Sequence, residues 1–271
     1  MSTDSVVEPD TERPTAADDA AAVGFRISHG QPVLSFRDLF TPLLVAVVAA
    51  ALYFNISRRD LDTIEQNVLN REGLTRATIE HISVSLTIAA LVLLIAVPLG
   101  VVVTRPLTRR LAPFVIAVAN VGQAAPSLGL LAFVGFYTVG FWAVVLILTA
   151  YAALSVLRNT IVGLQQVDKG VLDAARGMGM SPVSILFKVE LPLAVPVIGA
   201  GARTALVLAV GTVPLGYALN AGGLGLPLFG AIKTNRPVVT FTVAAIIAIL
   251  ALLMDWAAGI VQRAATPRGI R

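Results

Sequence analysis

From residue 39 onward the chain is a succession of long apolar blocks separated by short polar stretches. A helix that crosses about 30 Å of hydrocarbon at about 1.5 Å per residue needs about 20 residues. Six stretches approach or exceed that length: 39–56, slightly short but anchored by Tyr53, then 82–104, 112–139, 141–164, 191–216 and 237–261. The third is interrupted by Gln123 and Pro126, so it reads either as a broken span or as a span followed by a short outer helix. The pattern predicts an all-α integral membrane protein of about six transmembrane helices, because only structures that pair their own backbone groups can cross hydrocarbon.

Between the fourth and fifth blocks lies a polar segment over 167–192, VDKGVLDAARGMGMSPVSILFKVELP. It reads as two short helices with a hinge. Asp168 is placed to accept the unpaired amide hydrogens of a first turn. Gly177 and Gly179 end that helix, since glycine weakens helical order and tolerates a left-handed exit. Ser181 and Pro182 then restart it as cap and first residue. On residues alone the segment is a helical hairpin that meets a partner, an amphipathic element resting on lipid, or a connecting loop. The other long polar stretch, 57–80, has Leu61, Ile64 and Val68 at helical spacing and is expected to be a short outer helix, serving as a docking element or a solvated linker.

Composition agrees with a membrane protein: 56% of the 271 residues are hydrophobic, only 13% are charged, and mean hydropathy is +0.84. The net charge of +4 is uneven. Seven acids stand against three arginines in the first 38 residues, which predicts a disordered acidic tail, too long and too acidic at its start for a cleavable signal. Elsewhere Lys and Arg flank the apolar blocks, a pattern of membrane orientation rather than of nucleic-acid binding. With the N-terminus inside, thirteen basic residues fall on inner segments and six on outer ones, so both termini and the 167–192 hairpin are expected in the cytoplasm.

Chemistry is sparse. The absence of cysteine rules out disulfides and cysteine metal sites, and His29 and His81 have no partners at metal-ligand spacing. The glycine-rich stretch 222–230 lacks the lysine of a phosphate loop, since Ala231 follows Gly230, and a tight outer turn or partly re-entrant loop is expected instead. No catalytic residue, cofactor site or metal site is assigned, and the chain is not expected to hydrolyse ATP. At membrane depth, Asn120, Gln123, Pro126 and Ser127 are costly unless they face protein or water, so the segment either turns toward a pathway or is a proline kink held by its neighbours. Arg203, about 17 Å into its span at ~1.5 Å per residue, needs a partner or water and is expected to face the bundle interior in a structural role, with gating as the alternative. Asp255 is the nearest acid, at a depth expected to differ.

Asp173-Ala174-Ala175, Gly179, and then Val189, Leu191 and Pro192 resemble the signature of the membrane subunits of binding-protein-dependent ABC importers, with aspartate where that family most often has glutamate. The resemblance implies that 167–192 is a coupling-helix hairpin seated in a groove of a cytoplasmic ATPase, with Asp173, Ala174, Ala175, Met178, Gly179 and Met180 at the contact. Gln123-x-x-Pro126-Ser127-Leu128, Leu157-Arg158-Asn159-Thr160, Met178-Gly179-Met180, Gly201-Ala202-Arg203-Thr204-Ala205 and Ala221-Gly222-Gly223-Leu224-Gly225 are similar in order to the branch that imports glycine betaine, choline and carnitine.

That resemblance implies an ABC permease domain over 82–263, preceded by the tail (1–38) and an extra N-terminal helix with its outer segment (39–81), and followed by a short tail (264–271). It implies a multi-pass protein of the plasma (cell inner) membrane, an ATPase dimer carrying ATP and Mg, a second permease, identical or sister, and an extracytoplasmic substrate-binding protein. Candidate pathway or gate residues are Asn120, Gln123, Pro126, Ser127 and Arg203. Alternatives are a permease for another small solute such as methionine, a stand-alone secondary transporter or channel, and a non-transporting assembly subunit.

Overall fold

A computed structural model describes residues 36–267. His29 and most of the acidic tail expected over 1–38 therefore lie outside the described residues, as do the last four residues of the chain. Among the described residues every regular element is helical. Five helices are long and apolar enough to cross a membrane, and a sixth crossing results if one bent pair counts as a span.

After a 3₁₀ turn over Phe36–Leu39, helix α1 (Phe40–Ser57) packs along the last helix of the chain and buries little of its surface. Helix α2 (Thr63–Val68) is short, as the spacing of Ile64 and Val68 predicts, and Asp62 and Glu65 close a capping box on its first turn. Helix α3 (Arg71–Thr104) starts eleven residues before the apolar block, because Asn70 caps it by accepting the Gly73 amide hydrogen at 2.7 Å. His81 therefore lies inside the helix. It is fully buried, and its Nε2–H donates to the Val210 carbonyl at 3.0 Å.

The interrupted third block forms α4 (Ala112–Ala124) and α5 (Ser127–Gly135), which meet at 85° around Ala125 and Pro126. Ala125 is extended, as a following proline favours, and the Pro126 ring holds φ at −58°. Helix α6 (Phe141–Gln165) is the centre of the bundle, with α3, α4 and α9 (Leu191–Thr212) packed on it. Ile88 and Val92 of α3 and Leu148 and Leu157 of α6 lie fully or almost fully buried in the shared core. At Gly201 of α9 an added Cβ would sit 2.7 Å from the Asn159 Cβ and 2.9 Å from the Ser155 carbonyl oxygen, so glycine is what lets these two helices approach.

The polar segment begins as α7 (Lys169–Gly177) and α8 (Pro182–Ile185). The second helix runs on into the fifth span: α8 passes through one π turn, Leu186–Glu190, directly into α9. The wider turn lies just ahead of Pro192, whose ring would meet the Lys188 carbonyl in an unbroken α-helix. After a 3₁₀ turn (Val213–Leu219), Gly222 and Gly223 take φ of +79° and +80°, and the expected outer turn leads at once into α10 (Gly225–Lys233). Helix α11 (Pro237–Ala265) closes the fold against α9, four residues longer than its apolar block.

Candidate functional site

The hairpin is built as its residues dictate. The Asp168 Oδ1 accepts the amide hydrogens of Gly170 (2.7 Å) and Val171 (3.2 Å), and the Ser181 Oγ accepts that of Ser184 at 3.3 Å. Gly179, at φ +79°, turns the chain out of α7 while the Met180 amide reaches back to the Ala175 carbonyl at 3.2 Å. That is the six-to-one closure of a left-handed helix exit.

Asp173, Ala174, Met178 and Gly179 are exposed together, Met180 is half-buried, and an added Cβ on Gly179 would meet nothing within 4 Å. Ala175 turns the other way, 2% exposed, so it packs within the chain and is not on the open face. Asp173 is ion-paired with Arg176 at 2.6 Å on the solvated surface, a bond worth about 0–1 kcal/mol that a partner can exchange. Val171, Val183 and Phe187 add exposed apolar surface that the sequence reading did not single out.

The end of the π turn is tied down. The Arg105 guanidinium, just past the end of α3, donates to both Glu190 carboxylate oxygens at 3.2 and 2.5 Å. The Glu190 side chain is 11% exposed and that of Arg105 35%. This link joins the hairpin's exit into α9 to the end of α3 across 85 positions of sequence, which is why sequence reasoning missed it.

The pathway candidates divide into two groups. Near the α4–α5 bend, the Asn120 Oδ1 accepts a hydrogen bond from Arg158 of α6 at 2.5 Å, Gln123 and Ser127 are half-buried, and Pro126 is exposed. Arg203 is not joined to them. Its Nε and one Nη donate to the two Asp255 oxygens at 2.9 and 2.6 Å, bridging α9 and α11. The expected mismatch in depth disappears because α11 continues to Ala265: Arg203 stands about 18 Å from the start of α9 and Asp255 about 15 Å from the end of α11, at ~1.5 Å per residue.

On the face opposite the hairpin, Arg236 at the start of α11 donates to the Asp62 carboxylate, which also caps α2. The Arg236 bond, with the amides of Glu65 and Ile64, holds the Asp62 carboxyl below its usual range. Among the described residues no three His, Asp or Glu side chains gather as a metal site.

A central helix, flanking helices and an exposed hairpin leading straight into a span define a multi-pass helical membrane protein. Residues 96–267 match the family described as binding-protein-dependent transport system inner membrane component. The chain is 38% identical over 203 residues to the choline transport system permease protein OpuBB of Bacillus subtilis, covering 74% of this chain and 93% of that one. It is 37% identical over 203 residues to the carnitine transport permease protein OpuCB of Listeria monocytogenes, covering 74% and 92%. A solved inward-facing conformation of the MetNI methionine ABC transporter is 30% identical with a TM-score of 0.63, covering 72% of this chain and 96% of that chain. This chain belongs to the binding-protein-dependent transport system inner membrane component family.

Two outcomes are expected. Glu190→Ala strands the Arg105 charge and costs about 2–3 kcal/mol, less than a fully buried pair because Arg105 keeps a third of its surface. Thermal melting in detergent checks this, with Arg105→Ala/Glu190→Ala recovering part of the loss; additive losses would show the two residues to be uncoupled. For Asp62 the folded carboxyl is the more acidic, so its contribution is complete above the usual carboxylate range and fades as pH falls through the lowered value. Hydrogen exchange of α2 amides should speed up, relative to the intrinsic rate, only in that acid range, and Asp62→Asn should speed it at every pH.

Proposed function

We propose that this chain is the permease subunit of an ATP-driven importer that brings quaternary-ammonium osmolytes (glycine betaine, choline and carnitine) into the cell. The observation that carries the substrate class is the 37–38% identity to a choline and a carnitine permease over more than nine-tenths of their length. A second reading, import of another small solute such as methionine, draws on the likeness to the MetNI transporter.

In this reading the hairpin is the coupling element. Asp173, Ala174, Met178, Gly179 and Met180 offer a small-residue surface with one directional carboxylate, and Val171, Val183 and Phe187 supply apolar contact around it. An ATPase dimer in the cytoplasm holds the ATP and Mg and seats the hairpin. The surplus of basic residues on the hairpin side supports a cytoplasmic hairpin and cytoplasmic termini in a cell-membrane protein.

Two permeases, identical or sister, form the pathway, and a binding protein outside delivers the solute. When ATP closes the ATPase dimer, each hairpin moves. Because α8 runs unbroken into α9, that displacement rocks α9 between inward-open and outward-open arrangements.

Uptake of radiolabelled choline, glycine betaine, carnitine and methionine, in cells lacking their own importers and supplied with the ATPase and binding protein, tests the substrate. Uptake of the first three is expected; uptake of methionine alone, or uptake without the ATPase, overturns the proposal. Gly179→Arg should give a membrane-inserted protein that no longer retains the ATPase on affinity purification, because a long cation fills the space left open at the hairpin turn and a side chain is strained at φ +79°. Undiminished co-purification would remove the hairpin from the contact.

A further inference from the structure

The coupling hairpin gives no reason for a half-exposed ion pair at membrane depth. The side chains of Arg203 and Asp255 keep 36% and 38% of their surface exposed, on an open face shared by α9 and α11. A charge pair of that exposure cannot face hydrocarbon, so this face meets water or another chain. It borders an open groove of about 890 Å³ lined mostly by apolar side chains (Val207, Leu208 and Leu252 beside small residues), with the hydroxyl-bearing Thr204 and Thr212 as its other polar groups. Both hydroxyls donate to carbonyls of their own helix, to Ala200 at 3.1 Å and Leu208 at 2.8 Å, which keeps their oxygens available as acceptors. The guanidinium passes over Gly259, where an added Cβ would come within 3.4 Å of Cζ.

We propose that this groove is a transit subsite for the solute, in which the Asp255 carboxylate is the counter-charge to the quaternary-ammonium group and Arg203 meets the solute's carboxylate or hydroxyl end; this rests on the osmolyte reading above. The bridge uses the Nε and one Nη of Arg203, leaving the other Nη without a carboxylate partner. A quaternary ammonium has no N–H, so it does not compete with the guanidinium for the carboxylate lone pairs. It approaches Asp255 by charge alone, and the bridge stays closed. A primary amine would compete for those same lone pairs.

Because the pair is neutral overall, the attraction is weak, which a site on a path requires if the solute is to leave again. Permanent burial of the same face against a second copy would desolvate both charges with no added partner, an arrangement that costs more than it returns.

The chain has no cysteine, so Thr204→Cys carries a single thiol. In the complete complex it should react with trimethylammonioethyl methanethiosulfonate, because only a wetted thiol ionises, and saturating choline should slow the reaction about threefold or more. Asp255→Asn strands Arg203 and should lower the folded yield. In the fraction that folds it should raise the KM for choline about tenfold, with Asp255→Glu restoring most of both, whereas a packing role alone would lower the yield and leave KM unchanged. A thiol at 204 that never reacts, or reacts at a rate indifferent to choline, or an Asp255→Asn variant that loses yield with KM unchanged, overturns the subsite. Failure of the wild-type complex to take up any of the three osmolytes sinks the substrate reading instead.

Discussion

Hydrocarbon offers a charged side chain no partner, and that constraint decides how the helices of this chain are tied together. Cross-helix polar links recur at several junctions: Arg105 to Glu190 between the end of α3 and the π turn, Arg158 to Asn120 between α6 and α4, and both Arg203 to Asp255 and Gln262 to the Pro196 carbonyl between α9 and α11. Apolar packing supplies the mass of contact but little direction, because lipid tails solvate leucine as well as another helix does. The polar links fix which helices meet and at what height. The close approach at Gly201 then lets α9 lie against α6 along its length.

The same logic makes α9 the moving part of the proposed importer. It is continuous with the hairpin at one end, pinned to α3 through Glu190, and joined to α11 through Arg203. A push on α7 and α8 therefore cannot be absorbed by a flexible loop. The π turn loosens the helical hydrogen-bond ladder between the hairpin and α9, and π turns recur at functional positions for that reason. Placing the half-buried Arg105–Glu190 bridge at the end of that turn limits where bending can occur.

Much of this was legible in the sequence. The apolar blocks marked the spans, Asp168, Gly179, Ser181 and Pro182 defined the hairpin, and Pro126 located the bend. Boundaries failed where capping outruns hydropathy: Asn70 starts α3 three turns early, and α11 outlasts its apolar block to Ala265. Cutting α11 short misplaced Asp255 and hid its match to Arg203. The Arg105–Glu190 link was beyond reach, since nothing local to either residue reports a neighbour 85 positions away. Ala175 reads as a contact residue in the motif, yet the rotation of α7 that turns it inward is set by packing, not spacing.

A pathway for solutes that are zwitterions in one case and cations in another cannot rely on a lone charge. A bare carboxylate would hold choline and repel the acid end of betaine; a bare guanidinium would do the reverse. A closed Arg–Asp pair presents a dipole instead, against which a zwitterion can align antiparallel while a simple quaternary cation still finds the carboxylate side. Its field falls off faster with distance than that of a single charge, so the solute is guided only while beside it. If selectivity lies with the delivering protein outside, a weak dipolar wall in the membrane is what the chemistry of these solutes asks of the permease.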